Sequence, residues 1–353
     1  MPCVKISTMP DDLIDPFLRR IEYVRLSVTD RCDLRCSYCL PQGYSDFEEP
    51  EHWLTFDEIE RVMHAFTSLG VRRIRLTGGE PLSRGKLPDL AARLSRLPGL
   101  EDLSLSTNAT RLKKLAPALK QAGITRLNVS LDSLQPERFA TITGGGALDS
   151  VLDGLLAAKA AGFAPIKINT VLMKGVNDDE VGDLVRFCIA HGFTLRFIET
   201  MPMGDTGRAA SAQFVDLQEV RRALAQEFEL ITTFMAGGRS QHPASRDTGT
   251  SVYGGGPARY VQVAGTDLKI GFITPISQHF CETCNRVRLT VDGVLYTCLG
   301  QEEKTELRPL LRAGATLEEL KETIRKAIGQ KPERHDFTTR PEKIIRFMSY
   351  TGG

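Results

Sequence analysis

The stretch TDRCDLRCSYCLP, residues 29 to 41, contains three cysteines that are close enough together to act on one centre. Cys32, Cys36 and Cys39 have the spacing C-x3-C-x2-C. A structural zinc site is normally closed by four ligands, and no fourth cysteine or histidine lies near these three. Three thiolates on a short loop suit an iron–sulfur cluster in which one iron stays open to another ligand. The spacing therefore predicts an iron–sulfur site, with a chance grouping as the alternative.

A second group of cysteines lies near the other end of the sequence, in FCETCNRVRLTVDGVLYTC. Cys281, Cys284 and Cys298 have the spacing C-x2-C-x13-C, and this group also stops at three. A zinc site would have to recruit His279 as its fourth ligand. The spacing alone leaves both a second iron–sulfur cluster and this zinc site open.

The composition is that of an ordinary soluble globular protein, with 41% hydrophobic and 25% charged residues and a formal net charge of +1 among 353 residues. The charge gives no indication of a nucleic-acid partner, and we expect none. The first 20 residues lack the apolar run of a signal peptide, and no segment approaches the roughly 18 apolar residues of a membrane span. We therefore expect a cytoplasmic protein without a membrane partner, in which clustered cysteines indicate metal binding or catalysis rather than disulfides.

The elements that must position these cysteines follow a repeated order of strand and helix. Alternation of this kind predicts a parallel sheet with right-handed crossovers, and six units fit an incomplete TIM-like (β/α)6 barrel of the α/β class. Thr55 with Glu58, and Asn177 with Glu180, have the spacing of capping boxes that begin two of the helices. The predicted strands are YVRLSV (23–28), RIRLT (73–77), DLSLST (102–107), RLNVSLD (126–132), IKINTVL (166–172) and LRFIE (195–199).

Polar residues alternate with apolar ones along these strands, although strands covered on both faces are normally apolar throughout. The alternation places Arg25, Arg75 and Lys167 on the inner face of the barrel. Cations in a dry interior are costly unless an anion balances them. We therefore expect a hollow that binds a polar, anionic ligand. The alternative is that the cations pair with inward carboxylates such as Asp132.

The sequence around the first cysteines resembles the radical S-adenosylmethionine (SAM) superfamily. Tyr38 precedes the third cysteine, and TGGEP (77–81) resembles the motif that binds the methionine amino group, with Gly79 approaching the cofactor. Ser130 in NVSLDSL and Met201 in FIETMPMG match further SAM-contacting positions. The resemblance implies that the three cysteines hold a [4Fe-4S] cluster whose open iron binds SAM.

The C-terminal segments GPARY (256–260), GFITPIS (271–277) and FCETCNRVRLT resemble the GTP 3′,8-cyclase family of molybdenum cofactor biosynthesis, from about residue 20 to the end of the chain. The resemblance implies a second [4Fe-4S] cluster, held by the C-terminal cysteines, whose open iron binds the guanine of GTP. The implied GTP-contacting residues are Arg25, Arg75, Ser106, Lys167, Arg286, Val287 and Arg288.

The same resemblance implies the reaction. A 5′-deoxyadenosyl radical takes the 3′ hydrogen from the ribose of GTP, and the product is (8S)-3′,8-cyclo-7,8-dihydroguanosine 5′-triphosphate. This lyase step is the first in molybdenum cofactor (molybdopterin) biosynthesis. The family also implies an electron donor, a downstream cyclic pyranopterin monophosphate synthase and a homodimer as one option for the assembly. The terminal Gly352 and Gly353 are expected to enter the active site.

The chain is expected to divide into an N-terminal extension (1–20), a radical SAM partial barrel (21–230) and a smaller cluster-binding domain (231–353). Three features depart from the family pattern: Ser106 replaces a threonine, Ala109 replaces a glycine, and residues 236–251 resemble no known segment. Two other functions stay open, a peptide-modifying radical SAM enzyme with an auxiliary cluster and a zinc-stapled binding module.

Overall fold

The fold is built on one sheet of 13 strands. The computed structural model describes residues 12–232, 251–252 and 256–352. The strands are β1 (Tyr23–Ser27), β2 (Arg73–Thr77), β3 (Asp102–Thr107), β4 (Arg126–Ser130), β5 (Ile166–Leu172), β6 (Thr194–Glu199), β7 (Leu230–Thr232), β8 (Ser251–Val252), β9 (Arg259–Val263), β10 (Lys269–Ile273), β11 (Arg286–Leu289), β12 (Val294–Tyr296) and β13 (Lys304–Glu306).

The helices are α1 (Phe56–Ser68), α2 (Leu87–Leu94), α3 (Leu112–Gln121), α4 (Pro136–Thr143), α5 (Leu148–Ala160), α6 (Val181–His191), α7 (Gly204–Ala210), α8 (Leu217–Glu227), α9 (Arg308–Arg312), α10 (Leu317–Ile328) and α11 (Met348–Thr351). Most of the helices pack through the apolar core against one face of this sheet, and α7 and α11 lie outside that core. None of the helices described is long and apolar enough to cross a lipid bilayer.

Strands β1 to β6 pair in chain order and are all parallel. These six strands confirm the predicted β/α order, with bounds that differ by at most a few residues from those expected. The parallel arrangement brings the carboxyl ends of all six strands to one edge of the sheet, where the loops of such folds carry the chemistry.

The C-terminal third of the chain extends the same sheet at both sides. Strand β11 pairs with β1, and β10 pairs with β6, both in parallel. Among the strands described, β13 ends one side of the sheet and β7 the other, so strand pairing leaves the barrel open. Hydrogen bonds of the sheet therefore cross the boundary expected at residue 230, and the division into domains stays a prediction.

The alternation of apolar and polar residues along β1 places their side chains on opposite faces of the sheet, as predicted. Val24 and Leu26 are fully buried in the apolar core against the helices, and Arg25 points to the opposite face. The register places Arg25 beside Arg75 on one side and Arg288 on the other. Charged side chains from three neighbouring strands therefore form one row on the inner face.

One predicted capping box is confirmed and the other is wrong. The Thr55 hydroxyl accepts from the Glu58 amide at 3.2 Å, and the Glu58 carboxylate accepts from the Thr55 amide at 2.7 Å, so the pair caps α1. Asn177 makes no such cap. Its side chain amide instead donates to the carbonyl oxygens of Asp132 and Val171. The Asn177 side chain, which the local pattern assigned to a helix cap, therefore makes hydrogen bonds to other parts of the fold instead.

Candidate active site

The loop that carries the first cysteine group follows β1 and packs directly on two glycines. The Gly79 amide donates to the Thr29 carbonyl at 2.9 Å. A Cβ on Gly79 would lie 2.3 Å from the Arg31 carbonyl oxygen, and one on Gly78 would lie 2.1 Å from that of Thr29. Both positions therefore need glycine, since a side chain would push the cysteine loop away from β2.

The three thiols of this loop lie in an environment that disfavours negative charge. Burial raises the pKa of Cys32 and of Cys39 to about 12, and it raises that of Cys36 well above its ordinary range. Nearby carboxylates, Glu80 beside Cys32 and Asp132 beside Cys36, add to the effect. These thiols are therefore protonated at neutral pH unless a metal displaces the protons.

The carboxylates next to the loop are themselves buried and hydrogen-bonded. Asp132 accepts from the Tyr38 hydroxyl at 2.6 Å and from the Val171 amide at 2.8 Å, and burial raises its pKa to about 6. Glu80 accepts from the Thr107 hydroxyl at 2.7 Å, and burial raises its pKa to about 7. Asp132 therefore hydrogen-bonds to Tyr38 and Val171, and Asp102 is the carboxylate whose charge acts on Arg75 and Lys167, so the alternative stays open for an inward carboxylate other than Asp132.

Two other residues expected at the cofactor site have less distinctive surroundings. Ser130 is exposed at the carboxyl end of β4. Met201 is half-buried and packs beside Cys39 against a small apolar cluster that includes Met203 and Met348. Their contacts with SAM stay a prediction.

The second cysteine group lies around β11 and β12, next to the side of the sheet that β1 occupies. Cys281 begins a short 3-10 turn, and Cys298 follows β12. Burial raises the pKa of Cys281 and Cys298. Burial acts on Cys284 in the same direction, but the charges of Arg286 and Lys331 outweigh it and lower the pKa of that thiol to about 6.

Within the described part of the chain, no group of three His, Cys, Asp or Glu side chains is close enough to hold a single metal ion. The donor chemistry fits iron–sulfur clusters. Each group supplies three cysteines, the thiols of each group affect one another's pKa, and each group is partly shielded from solvent. Three thiolates leave one iron of a cluster without a protein ligand.

Cations line the inner face of the sheet, on the side where the partial barrel is expected to enclose its cavity. Arg288, Arg25 and Arg75 stand in one row, and Lys167 lies on β5 across from Asn128 on β4. Several buried polar atoms here have no hydrogen-bond partner among the residues described: Arg25 Nε and Nη2, Ser106 Oγ, Asn169 Oδ1 and Arg196 Nε. Buried polar groups are normally satisfied, so this cavity has the character of a site for a polar ligand.

The electrostatics of the cavity favour an anion. Burial, reinforced by Arg288 and Arg75, lowers the pKa of Arg25 well below its ordinary value. Burial, reinforced by Arg196 and other cations, lowers the pKa of Lys167 to about 6. Burial, together with Arg286, lowers that of Arg288 to about 9. A polyanion would relieve this mutual repulsion.

The carboxyl end of the chain enters this cavity. Helix α11 is anchored by a 2.7 Å hydrogen bond from the Tyr350 hydroxyl to Asp292. The Gly352 carbonyl accepts from Arg288 Nη1 at 3.1 Å. Gly352 has φ of +75°, and a Cβ there would lie 2.2 Å from Thr77 Cγ2. Gly353 lies outside the described residues.

Sequence reasoning missed several side chains at these sites. Arg196 faces the cavity next to Asn169, and the alternation of LRFIE could have revealed it. Arg19 and Lys331 contact the second cysteine group from distant parts of the chain, and no local pattern indicates them. Val287 lies in the apolar core on the opposite face, so only its main chain is available to a ligand in the cavity. Residues 1–11 and nearly all of 236–251 lie outside the described residues.

Two families match parts of this chain. Residues 26–188 match the Radical SAM superfamily, and residues 193–337 match the family Molybdenum Cofactor Synthesis C. The first match contains the first cysteine group, and the second contains all three cysteines of the C-terminal group.

Curated relatives match nearly the whole chain. A GTP 3′,8-cyclase of Ectopseudomonas mendocina is 46% identical over 97% of this chain and 99% of the relative. A GTP 3′,8-cyclase of Paracoccus denitrificans is also 46% identical, over 97% of this chain and 96% of the relative.

A solved structure supports the fold. The crystal structure of Streptococcus suis SuiB bound to S-adenosylmethionine has a TM-score of 0.57 and 17% identity, over 86% of this chain and 68% of the SuiB chain. At that identity the likeness shows the fold alone.

Proposed function

The chain belongs to the GTP 3′,8-cyclase family, and we propose that it cyclises GTP to (8S)-3′,8-cyclo-7,8-dihydroguanosine 5′-triphosphate in molybdenum cofactor biosynthesis. It is a radical SAM enzyme with iron–sulfur clusters and SAM as cofactors. The observation that carries the proposal is a row of cations with unpartnered polar atoms on the inner face of the sheet, in a chain that also has two separate three-cysteine groups.

Cys32, Cys36 and Cys39 would hold the cluster that binds SAM, and Cys281, Cys284 and Cys298 would hold the cluster that binds guanine. When bound, the first cluster and SAM supply the 5′-deoxyadenosyl radical that takes the 3′ hydrogen of GTP. Tyr38, Ser130 and Met201 would orient SAM. Gly79 would contribute by fixing the cysteine loop against β2, through its amide hydrogen bond to Thr29.

The cations of the cavity would bind the triphosphate. A nucleoside triphosphate carries about four negative charges, and guanidinium groups pair well with phosphate oxygens. Arg25, Arg75 and Arg288 present three such groups in one row, and Arg286 on β11 continues this basic edge. Ser106 offers an unpartnered hydroxyl, and Lys167 adds a point charge. Bound in this way, the substrate would be fixed in orientation, so that one ribose position meets the radical.

The terminal glycines would complete the site. Gly352 lies between Thr77 and Arg288, where no Cβ fits, and its carbonyl already accepts from Arg288. A tail in this position excludes water and touches a cation assigned to the triphosphate. Gly352 and Gly353 therefore would act between substrate binding and hydrogen abstraction.

The remaining partners follow from the family. We propose a one-electron donor for the first cluster, a downstream cyclic pyranopterin monophosphate synthase that takes the product, a cytoplasmic location and a homodimeric assembly. We also retain the three-part division at residues 20 and 230.

An anaerobic assay with SAM, GTP and a chemical reductant tests the proposal. The reconstituted protein is expected to bind about eight irons per chain with matching sulfide and to form 5′-deoxyadenosine and the cyclised nucleotide together. SAM cleavage without consumption of GTP would overturn the assignment and favour another substrate class, such as a peptide. Removal of Gly352 and Gly353 should keep both clusters and GTP affinity and abolish most of the cyclisation.

A further inference from the structure

Lys331 is buried beside the second cysteine group and is only 3% exposed. Its ammonium group lies 3.8 Å from Cys284 Sγ. It also donates to the carbonyl oxygen of Arg286 at 3.1 Å and to that of Thr297. One ammonium group therefore joins the start of β11, the residue before Cys298 and a cysteine sulfur.

A buried ammonium is costly unless an opposite charge accompanies it. Among the described residues, Lys331 forms no ion pair with a carboxylate, and its two oxygen partners are neutral carbonyls. The nearest group able to carry a full negative charge is the thiolate of Cys284. Three thiolates around a [4Fe-4S] core would supply the missing negative charge.

We propose that Lys331 is a positioning residue for the second iron–sulfur cluster and the counter-ion of the thiolates that hold it. The proposal rests on the presence of that cluster, as proposed above, but not on the identity of the substrate. Its ammonium donates a hydrogen bond to sulfur and fixes the two backbone segments that carry Cys284 and Cys298.

A second cation holds the segment of Lys331 in place from the N-terminal side of the chain. Arg19 is 6% exposed, and its side chain is oriented by Asp15, with Nε 2.5 Å from Oδ2. Arg19 donates to the carbonyl oxygens of Pro332 at 2.5 Å and of Glu333 and Cys281 at 2.8 Å each. Lys331 is therefore fixed next to the cysteine turn, and its ammonium cannot easily move into solvent.

The charge of Lys331 has two consequences for the cluster. Hydrogen bonds and positive charge near the sulfurs stabilise the more negative, reduced state and so raise the reduction potential. Residues that support metal ligands also slow metal loss, and their removal typically costs about 10- to 100-fold in metal affinity or activity. Replacement by a neutral side chain should therefore lower the potential of this cluster and speed its loss.

The test compares Lys331→Met with Lys326→Met in the full-length, anaerobically reconstituted protein. Lys326 is a control because its side chain lies on α10, is 73% exposed and pairs with Glu322. The rate of iron release to a chelator is measured, and the reduction potentials are obtained from a redox titration followed by EPR. The EPR signal that is absent from Cys298→Ser is assigned to the second cluster. In Lys331→Met, about half of the iron should leave roughly 10-fold faster, and this signal alone should titrate at a more negative potential.

Lys331→Arg keeps the positive charge. The reduction potential of its second cluster should therefore lie between those of the parent and of Lys331→Met, and closer to the parent. Unchanged iron release and potential in Lys331→Met would overturn the proposal. Equal loss of both clusters, or a methionine and an arginine variant that behave alike, would indicate general unfolding and would also overturn it. Failure to cyclise GTP would overturn only the proposed substrate, since neither readout depends on GTP.

Discussion

The two three-cysteine sites have the same number of ligands but opposite electrostatic surroundings. At the first, burial raises the pKa of all three thiols and the carboxylates Glu80 and Asp132 add to the effect, although Arg35 acts in the other direction at Cys39. Cations surround the second, where Arg286 and Lys331 lower the pKa of Cys284 to about 6. The same metal chemistry has been placed in an acidic and in a basic environment.

The difference matches the ligands proposed for the two sites. SAM is a sulfonium cation, and under the proposed assignment it would bind on the side with Asp132 and Glu80. GTP is a polyanion, and it would bind on the side with Arg288. If each ligand finds complementary charge at only one site, charge alone would direct the two ligands to different clusters.

The largest effect should come from removing one cysteine at each site. Cys36→Ala should abolish SAM cleavage, because the cluster that binds SAM loses a ligand. Cys284→Ala should still cleave SAM and fail to form the cyclised nucleotide, because it damages substrate placement. The measurement is 5′-deoxyadenosine and cyclised nucleotide from the same anaerobic reaction. Normal SAM cleavage by Cys36→Ala, or product from Cys284→Ala at the parent rate, would show that the two sites have not been distinguished correctly.

A smaller effect is expected from Arg288→Ala. A hydrogen bond to a charged group contributes about 1.5–3 kcal/mol, so GTP should bind roughly 10- to 100-fold more weakly. Guanosine should lose much less, because it lacks the phosphates. Equilibrium binding of both ligands measures the difference, with Lys174→Ala, an exposed lysine just beyond β5, as the matched control. Equal losses for GTP and guanosine would contradict phosphate binding by this row.

The pH dependence of GTP binding should reveal Lys167. Its pKa is lowered to about 6 in the free protein, so it is charged below pH 6 and neutral above. A bound polyanion raises that pKa, and binding above pH 6 must therefore take up a proton. GTP affinity should fall as pH rises from 6 to 8, by up to about tenfold per unit. Lys167→Met should bind GTP more weakly than the parent at pH 6, and this difference in affinity should be smaller at pH 8. A difference that is constant across this range would show that Lys167 does not titrate on binding.

Whether the sequence predicts a site residue depends on how far along the chain its partners lie. Alternation along single strands predicted Arg25, Arg75 and Lys167 on the inner face, because side-chain direction in a strand depends only on neighbours. The same reasoning could not find Lys331 or Arg19, since their partners lie far away along the chain. The Asp132–Tyr38 hydrogen bond was missed for the same reason.

The smallest effect is expected at Ala109, where the family resemblance implies a glycine. Ala109 has φ of +63° and is fully buried, so the loop keeps the left-handed conformation despite the side chain. Ala109→Gly relieves backbone strain of about 1–2 kcal/mol. It also removes a buried methyl group and raises the backbone entropy of the unfolded chain, and these two losses offset most of the gain. Denaturant unfolding should therefore show a change below about 1 kcal/mol. Ala109→Val should cost more than about 2 kcal/mol, because a branched side chain tolerates positive φ poorly. A large gain for glycine would show that the buried methyl contributes little here.

The pairing of β1 with β11 has a consequence for how the chain is made. Strand β1 is synthesised long before β11, and one of its edges finds its partner only when residues near 286 have been synthesised. Until then that edge can pair with other chains, and such non-local pairing is slow. A fragment that ends after β6 would expose this edge and that of β6 as well. We expect such a fragment to aggregate, so nascent chains of this protein are natural clients for chaperones.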